Sequence, residues 1–318
     1  MRVGVVVPAF NAAAWLGDAV ASVLAQTHQD WMLVVVDDGS TDGTSEIAGR
    51  FGDPRIRVVR QANAGVSVAR NRGMVELFGG APSPRPPPAR GGGVFCPNGI
   101  LLLDADDWLA PDALSRLAAA LDASPHAAAA TGACVFVDTG VVRVPPSGEI
   151  LQRLLVRNPF ANGGQLLLRA EAVRAAGEFA TGIVFGEDWE FWVRIAMQGP
   201  FAAAGGAPVL FVRQHEGGAY RRLAADPASF IPCMDAIFGN PALLGRFRAD
   251  RLTAIRRRTE AENAWIVGRE LIRHGGNGKP WLLRSFRVAP STRRAVLLAA
   301  ALLRLGPFAP YAAATRER

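Results

Sequence analysis

Four apolar residues, Ile100-Leu101-Leu102-Leu103, run directly into Asp104-Ala105-Asp106-Asp107. Carboxylates this close repel one another unless a cation or hydrogen bonds compensate. Their oxygens suit a hard divalent ion, Mg²⁺ or Mn²⁺, and such an ion characteristically also binds substrate phosphates. The plainer reading has Asp107 capping a following helix and the other acids solvated. It is the weaker one, because the apolar run before the acids reads as a buried strand.

A second acidic cluster ends another apolar run, Val34-Val35-Val36-Asp37-Asp38-Gly39-Ser40-Thr41-Asp42. Asp38 suits hydrogen bonds from a base or ribose, and Asp42 or Thr44 suits the cap of the helix that follows. The first apolar run ends in Pro8-Ala9-Phe10-Asn11. Far along the chain, Asp188 sits at the start of an amphipathic helical pattern. A carboxylate there can accept a proton from a hydroxyl, or it can simply complement the helix dipole. Trp189 and Trp192 beside it can stack on sugar rings or pack in the core, and the core is the better reading for Trp192.

The elements that must position these residues alternate between two periodicities. Short runs at 3–7, 32–36 and 56–59 predict strands buried on both faces. Helical patterns at 12–25, 44–50 and 65–77 lie between them. Strand, helix, strand, helix predicts a mostly parallel sheet flanked by helices, with ligands at the carboxyl ends of its strands. A fourth strand is expected at 100–103, with a helix opening near Pro111. Further strands are expected at 127–137, 165–168 and 208–213, and helices at 171–176, 187–198 and 250–274. Residues 79–93 read GGAPSPRPPPARGGG, too rich in Pro and Gly for helix or strand, which predicts a flexible surface insert. It lacks the Lys-Ser/Thr ending of a phosphate-binding P-loop.

The chain has 318 residues, half of them hydrophobic and a fifth charged, which is ordinary for a globular protein. No run of eighteen apolar residues argues for a spanning helix, and residues 1–8 are too short and strand-like for a signal peptide. A cytoplasmic address is expected. Three widely separated cysteines, Cys96, Cys134 and Cys233, fit neither a disulfide framework nor a zinc site and read as free thiols. The net charge of +7 is uneven: residues 246–318 hold sixteen Lys/Arg against five Asp/Glu, a local +11, which leaves the first 245 residues near −4. A basic tail suggests an anionic partner or a solvated helix face. Arg293 to Arg304 mixes basic residues with an apolar run, and either lies on an anionic bilayer or packs as a helix.

Five motifs occur in register: Pro8-Ala9-Phe10-Asn11, Val36-Asp37-Asp38-Gly39-Ser40-Thr41-Asp42, Asn63-Ala64-Gly65 through Ala69-Arg70-Asn71-Arg72-Gly73, Leu103-Asp104-Ala105-Asp106-Asp107-Trp108 and Gly186-Glu187-Asp188-Trp189. Together they resemble the family 2 glycosyltransferases of the GT-A fold, over about residues 2 to 215. The resemblance implies a Rossmann-like α/β catalytic domain over 1–215, with a nucleotide-binding half at 1–110 and an acceptor half at 111–215. A helical, basic extension would cover 216–318. It also implies an inverting, metal-dependent transfer from a nucleotide-diphosphate sugar to a saccharide, glycolipid or lipid-linked acceptor, in cell-surface polysaccharide or glycolipid assembly. Position by position, Pro8, Ala9 and Asp38 would hold the nucleobase end, with Arg70 near the nucleotide. Asp104 and Ala105 would face the ribose or donor sugar. Asp106 would bind the Mg²⁺ or Mn²⁺, with His215 near enough to reach the metal or diphosphate, and Asp188 would be the catalytic base.

The insert at 79–93 departs from the family's pattern. The Gln-x-x-Arg-Trp pattern of processive synthases is missing, which favours single addition over polymerisation. A nucleotidyltransferase would also use carboxylates and a metal, but it would want a basic or glycine-rich phosphate loop near the N-terminus, and Pro8–Asn11 supplies none. A non-catalytic nucleotide-sugar binder has no need of both Asp106 and Asp188. A peripheral position at the inner face of the membrane is compatible with the tail, and no nucleic acid partner is expected.

Overall fold

The structure is a computed structural model and describes residues 1–79, 96–214, 226 and 228–302. The expected insert at 79–93 lies almost wholly outside these residues, and so does His215. Two compact units are present. The first comprises Met1–Leu151, Pro159–Thr181 and Glu187–Gln214; the second comprises Gln152–Asn158, Gly182–Gly186 and His215–Arg318.

In the first unit, β1 (Val3–Ala9), β2 (Trp31–Asp37), β3 (Ile56–Arg60) and β4 (Gly99–Leu102) are mutually parallel in the order β4-β1-β2-β3. Between the first three run α1 (Leu16–Leu24) and α2 (Thr44–Gly49), and α3 (Val66–Leu77) follows β3. All of β1 is buried, and so is β2 except for Met32, as continuous Val/Leu runs require when a sheet is covered on both faces. Here β3 departs from expectation. It is the sheet's edge, so Arg57, Val58 and Arg60 are exposed.

Beyond β4 the order continues through β9 (Leu166–Arg169), β6 (Ala129–Thr131) and β10 (Phe201–Ala203). Strand β9 runs antiparallel to both β4 and β6, so the seven-stranded sheet is mostly rather than wholly parallel. The single strand expected over 127–137 is in fact two. After Thr131 the chain leaves the large sheet at Gly132, and Cys134–Phe136 forms β7 of a second sheet, ordered β5-β11-β7-β8. Its other members are β5 (Trp108–Leu109), β8 (Val141–Arg143) and β11 (Leu210–Val212). A Cβ at Gly132 would lie 2.6 Å from a methyl of Val209, so the crossing point has room only for glycine. Neither β5 nor β8 carries enough residues to show a period, which is why neither was legible. The remaining helices of this unit are α4 (Ala113–Asp122), α5 (Leu151–Val156, continuing into the second unit), α6 (Ala170–Ala176) and α7 (Glu187–Ala196).

Helix α3 rests unusually close to the sheet. A Cβ on Gly73 would stand 2.3 Å from Val6 Cγ1, well inside contact distance. That approach fixes where the neighbouring Arg70 and Asn71 can reach.

The second unit is helical in its described residues: Ile231–Phe238, Pro241–Leu244, Ala249–Arg273, Lys279–Val288 and Thr292–Leu302. Trp265, Leu282, Leu298 and Ala301 form a small core of its last three helices. No helix among the described residues is long and apolar enough to cross a membrane. Cys134 and Cys233 are buried and Cys96 is half-buried, all as free thiols.

Candidate active site

Parallel pairing of β4, β1 and β2 brings three loops to one edge of the sheet, and the sequence motifs are those loops. Pro8 and Ala9 are buried at the end of β1, and the Ala9 carbonyl accepts from Asp38 N at 2.8 Å. Asn11 has φ +49, a left-handed conformation that Asn tolerates better than most residues. Its Oδ1 accepts from Thr41 N at 2.9 Å and its N–H donates to Ser40 Oγ at 3.0 Å, tying the first loop to the second.

The two aspartates ending the second loop's strand divide their labour. Asp37, with no exposed surface, accepts from Ser40 N, from the Ser45 hydroxyl and pairs with Arg60. Burial alone would raise its pKa, but these donors carry it below the usual carboxylate range. Asp38 accepts from Gln61 Nε2 at 2.7 Å, Ala64 N at 3.0 Å and Gly65 N at 2.8 Å, and so shapes the entry to α3. Gly39, at φ +78 with Asn63 N against it, makes the turn between them. Asp42 accepts from Thr44 N at 3.0 Å, but neither it nor Thr44 is the cap of α2: Gly43 holds that position and no side chain caps the helix.

At the end of β4, ligand oxygens of Asp104, Asp106 and Asp107 lie within 4.8 Å of one another. Asp107 is no helix cap: it is 2% exposed and accepts from Arg213 N at 2.8 Å and from the Asn162 side-chain amide. Asn162 Oδ1 accepts from Gly164 N, which orients its NH₂ group toward Asp107. Both partners of Asp107 are therefore donors and call for an ionised carboxylate. Burial first, and then the charges of Asp106 and Asp104, oppose ionisation and push its pKa up to about 8. Burial likewise raises Asp104, against the pull of Arg70. A divalent cation would remove this conflict, and an all-oxygen set of carboxylates is the chemistry such an ion takes. With both oxygens of Asp107 engaged, Asp104 and Asp106 are the residues placed to hold it. Ala105 between them is 7% exposed and contributes its side chain to the core.

Arg70 joins this cluster to the helix that carries Asp188. Its Nη2 donates to Asp104 Oδ1 and its Nη1 to Glu187 Oε1, both at 3.0 Å. Burial would favour loss of its proton, but the charges of Asp104, Glu187 and Asp188 hold the guanidinium above the ordinary arginine range. Asp188 opens α7 and accepts from Trp189 N at 2.6 Å. Burial and then the charge of Glu187 raise its pKa to about 7, against Arg70 and the Trp189 N–H. A carboxylate poised near neutrality is suited to proton abstraction.

Three features went unread in the sequence. Glu187 was part of a motif but had no role, and it is Arg70's partner. Asn71 exchanges two hydrogen bonds with the backbone of Phe179, 3.0 and 2.7 Å, and the Phe179 ring stacks on Phe191 of α7 at 4.0 Å. Asp107 is the buried link to Asn162 and Arg213. Trp192, 1% exposed, is a core residue as expected, and Trp189, at 4%, is one too, so neither offers a face to a sugar ring.

Residues 4–79 match the family model described as Glycosyl transferase family 2. This segment is therefore similar to the family 2 glycosyltransferases. Over 118 residues, 36% of the chain, it is 33% identical to glycosyltransferase GlyA of Streptococcus pneumoniae. Over 80 residues, 24% of the chain, it is 44% identical to the putative teichuronic acid biosynthesis glycosyltransferase TuaG of Bacillus subtilis. These alignments span 14% of GlyA and 32% of TuaG. The fold is shared more widely. S. aureus TarS superposes with a TM-score of 0.64 at 16% identity, covering 96% of this chain and 53% of that one. The mannosyltransferase PcManGT from Pyrobaculum calidifontis, in complex with GDP-Man and Mn²⁺, gives 0.59 at 20% identity over 99% and 83%. The mostly parallel α/β sheet flanked by helices is thus the GT-A fold expected from the motifs.

Proposed function

We propose that this chain transfers a sugar from a nucleotide-diphosphate sugar to an acceptor hydroxyl with inversion, dependent on Mg²⁺ or Mn²⁺. The observation that carries the reading is the Arg70 bridge, which couples an acidic cluster fit for a metal-bound diphosphate to a carboxylate titrating near neutrality. Pro8, Ala9 and Asp38 line the nucleobase end of the crevice, and Asp104 and Ala105 the sugar end. Asp104 and Asp106 hold the metal, which when bound neutralises charge growing on the diphosphate. His215, outside the described residues, is a candidate for an additional ligand.

In the reaction Asp188 accepts the acceptor hydroxyl's proton as that oxygen bonds to the anomeric carbon. The bond from the anomeric carbon to the diphosphate breaks on the opposite face, and the nucleoside diphosphate leaves with the electron pair. Inversion follows from that single in-line displacement. TarS has been crystallised with UDP-GlcNAc, PcManGT carries GDP-Man, and TuaG is named for teichuronic acid biosynthesis. The proposed setting is accordingly cell-surface polysaccharide or glycolipid synthesis, on a saccharide or lipid-linked acceptor. The catalytic domain ends near residue 215, and the basic extension beyond it contacts an anionic membrane.

The test is turnover of UDP-GlcNAc and GDP-mannose with Mn²⁺, with and without saccharide acceptors. Release of nucleoside diphosphate that depends on acceptor, on metal and on Asp188 supports the reading. Release of pyrophosphate would instead indicate nucleotidyl transfer. Donor binding that is unaccompanied by turnover across a broad acceptor panel would leave a binding protein.

A further inference from the structure

Residues 271–315 contain seven Lys/Arg and not one Asp or Glu. Within this stretch the helices Lys279–Val288 and Thr292–Leu302 turn Leu282, Ser285, Leu298 and Ala301 inward, onto Trp265 and the backbone of the helix Ala249–Arg273. The opposite sides are set by helical spacing. On the first helix Arg284, Arg287 and Val288 are exposed there; on the second, Arg293 and Val296 are. Val288 is 40% and Val296 64% exposed.

Acids that would balance these arginines are already engaged. Glu262 pairs with Arg294, and Glu270 with Arg273 at 2.9 Å. Burial first, and then the like charges of Arg273, Arg293 and Arg157, hold the pKa of Arg269 below the usual arginine range, against the opposing charge of Glu270. Two of the outward arginines lie over indole rings, Arg284 over Trp281 and Arg293 over Trp265. Their guanidinium groups thus rest against aromatic faces while both residues remain exposed.

From this arrangement we infer that the outward face of these two helices, Arg284, Arg287 and Arg293 with Val288 and Val296, docks on an anionic lipid bilayer. Nucleic acid would be met by the arginines alone, whereas the interleaved apolar side chains match the headgroup–acyl boundary. The inference rests on the proposed membrane contact and narrows it to a face. Its consequence is retention of the enzyme on the surface that carries a lipid-linked acceptor.

Co-sedimentation of the full chain with vesicles of phosphatidylcholine, with and without phosphatidylglycerol, tests this. Binding should require phosphatidylglycerol and weaken as salt is raised. Joint Arg284→Gln, Arg287→Gln and Arg293→Gln should lower partitioning about 100-fold, at about 1 kcal/mol per charge. Val288→Ser with Val296→Ser should weaken it without altering the salt dependence, and thermal melts establish that both variants fold. Equal binding to neutral vesicles, unchanged partitioning of the folded arginine variant, or tighter binding to single-stranded RNA than to anionic vesicles at the same salt would each overturn the inference. Turnover of a water-soluble acceptor, measured on the same proteins, separates this from the transferase reading. A chain that binds vesicles but transfers nothing refutes only the latter.

Discussion

Arg70 Nη1 stands 3.0 Å from Glu187 Oε1, across 117 positions of sequence, while its other terminal nitrogen holds Asp104. One buried guanidinium thereby sets the spacing between the acidic strand end and the helix that opens with Glu187-Asp188. Arg70→Met would keep the side chain's bulk and leave both carboxylates without it. Removing one partner of a buried pair costs about 3–5 kcal/mol, so the melting temperature should drop markedly and transfer should be lost. Arg70→Lys, which cannot fork to two acids in the same way, should recover stability more than turnover. Calorimetry and steady-state kinetics on the two variants check this.

Asp188→Asn removes the proposed base. Acceptor-dependent kcat should fall about 10²–10⁴-fold, with the KM for donor little changed. In the wild type the rate should rise with pH as Asp188 deprotonates, with a midpoint at or below about 7 because bound metal favours the anion. A pH–rate profile that keeps its acidic limb in the variant would assign that limb elsewhere.

Stability should respond to pH in the opposite sense. Asp188 and Asp107 have folded pKa values of about 7 and about 8, well above the 3.8 of an unperturbed aspartate. Between that value and the folded ones the native state binds more protons than the unfolded chain, so unfolding free energy falls as pH rises through the window. Metal-free protein should therefore melt lower at pH 8.5 than at pH 6. Saturating Mn²⁺ should recover the loss, since ligands that bind only the native state stabilise it. Melting curves with EDTA and with Mn²⁺ would show both effects, and Asp106→Asn should abolish the second.

Asn71 and Gly73 carry structural loads on the same helix. Asn71→Ala leaves the buried Phe179 N–H and carbonyl unpaired, a cost of about 1–3 kcal/mol for each group left unsatisfied. It should also slow turnover, because Phe179 packs on the helix of Asp188. Gly73→Ala should destabilise by about 1–3 kcal/mol through overpacking against Val6. Chemical denaturation of the two variants would show the losses.

Much of the fold over residues 1–110 was legible because its signals are local. The runs at 3–7 and 32–36 are buried strands, and the acids that follow them fall at strand ends by chain continuity alone. The strand 127–137 was misread because apolar content does not reveal a change of sheet. That change depends on the fit of Gly132 against Val209. Two-residue β5 is set by pairing with β11, a partner about a hundred positions away.

The amino-acid sequence by itself determined the alternation of elements, the acidic clusters at strand ends, the family resemblance of the N-terminal segment and the charge asymmetry of the tail. These follow from periodicity, composition and short motifs, which neighbouring residues express without a partner. Tertiary structure decided what each charged group does. Asp107 became a buried link rather than a helix cap, Trp189 a core residue, and Glu187 the second anchor of Arg70. Burial and long-range pairing set the energy of a charge, and neither is written in the residues beside it.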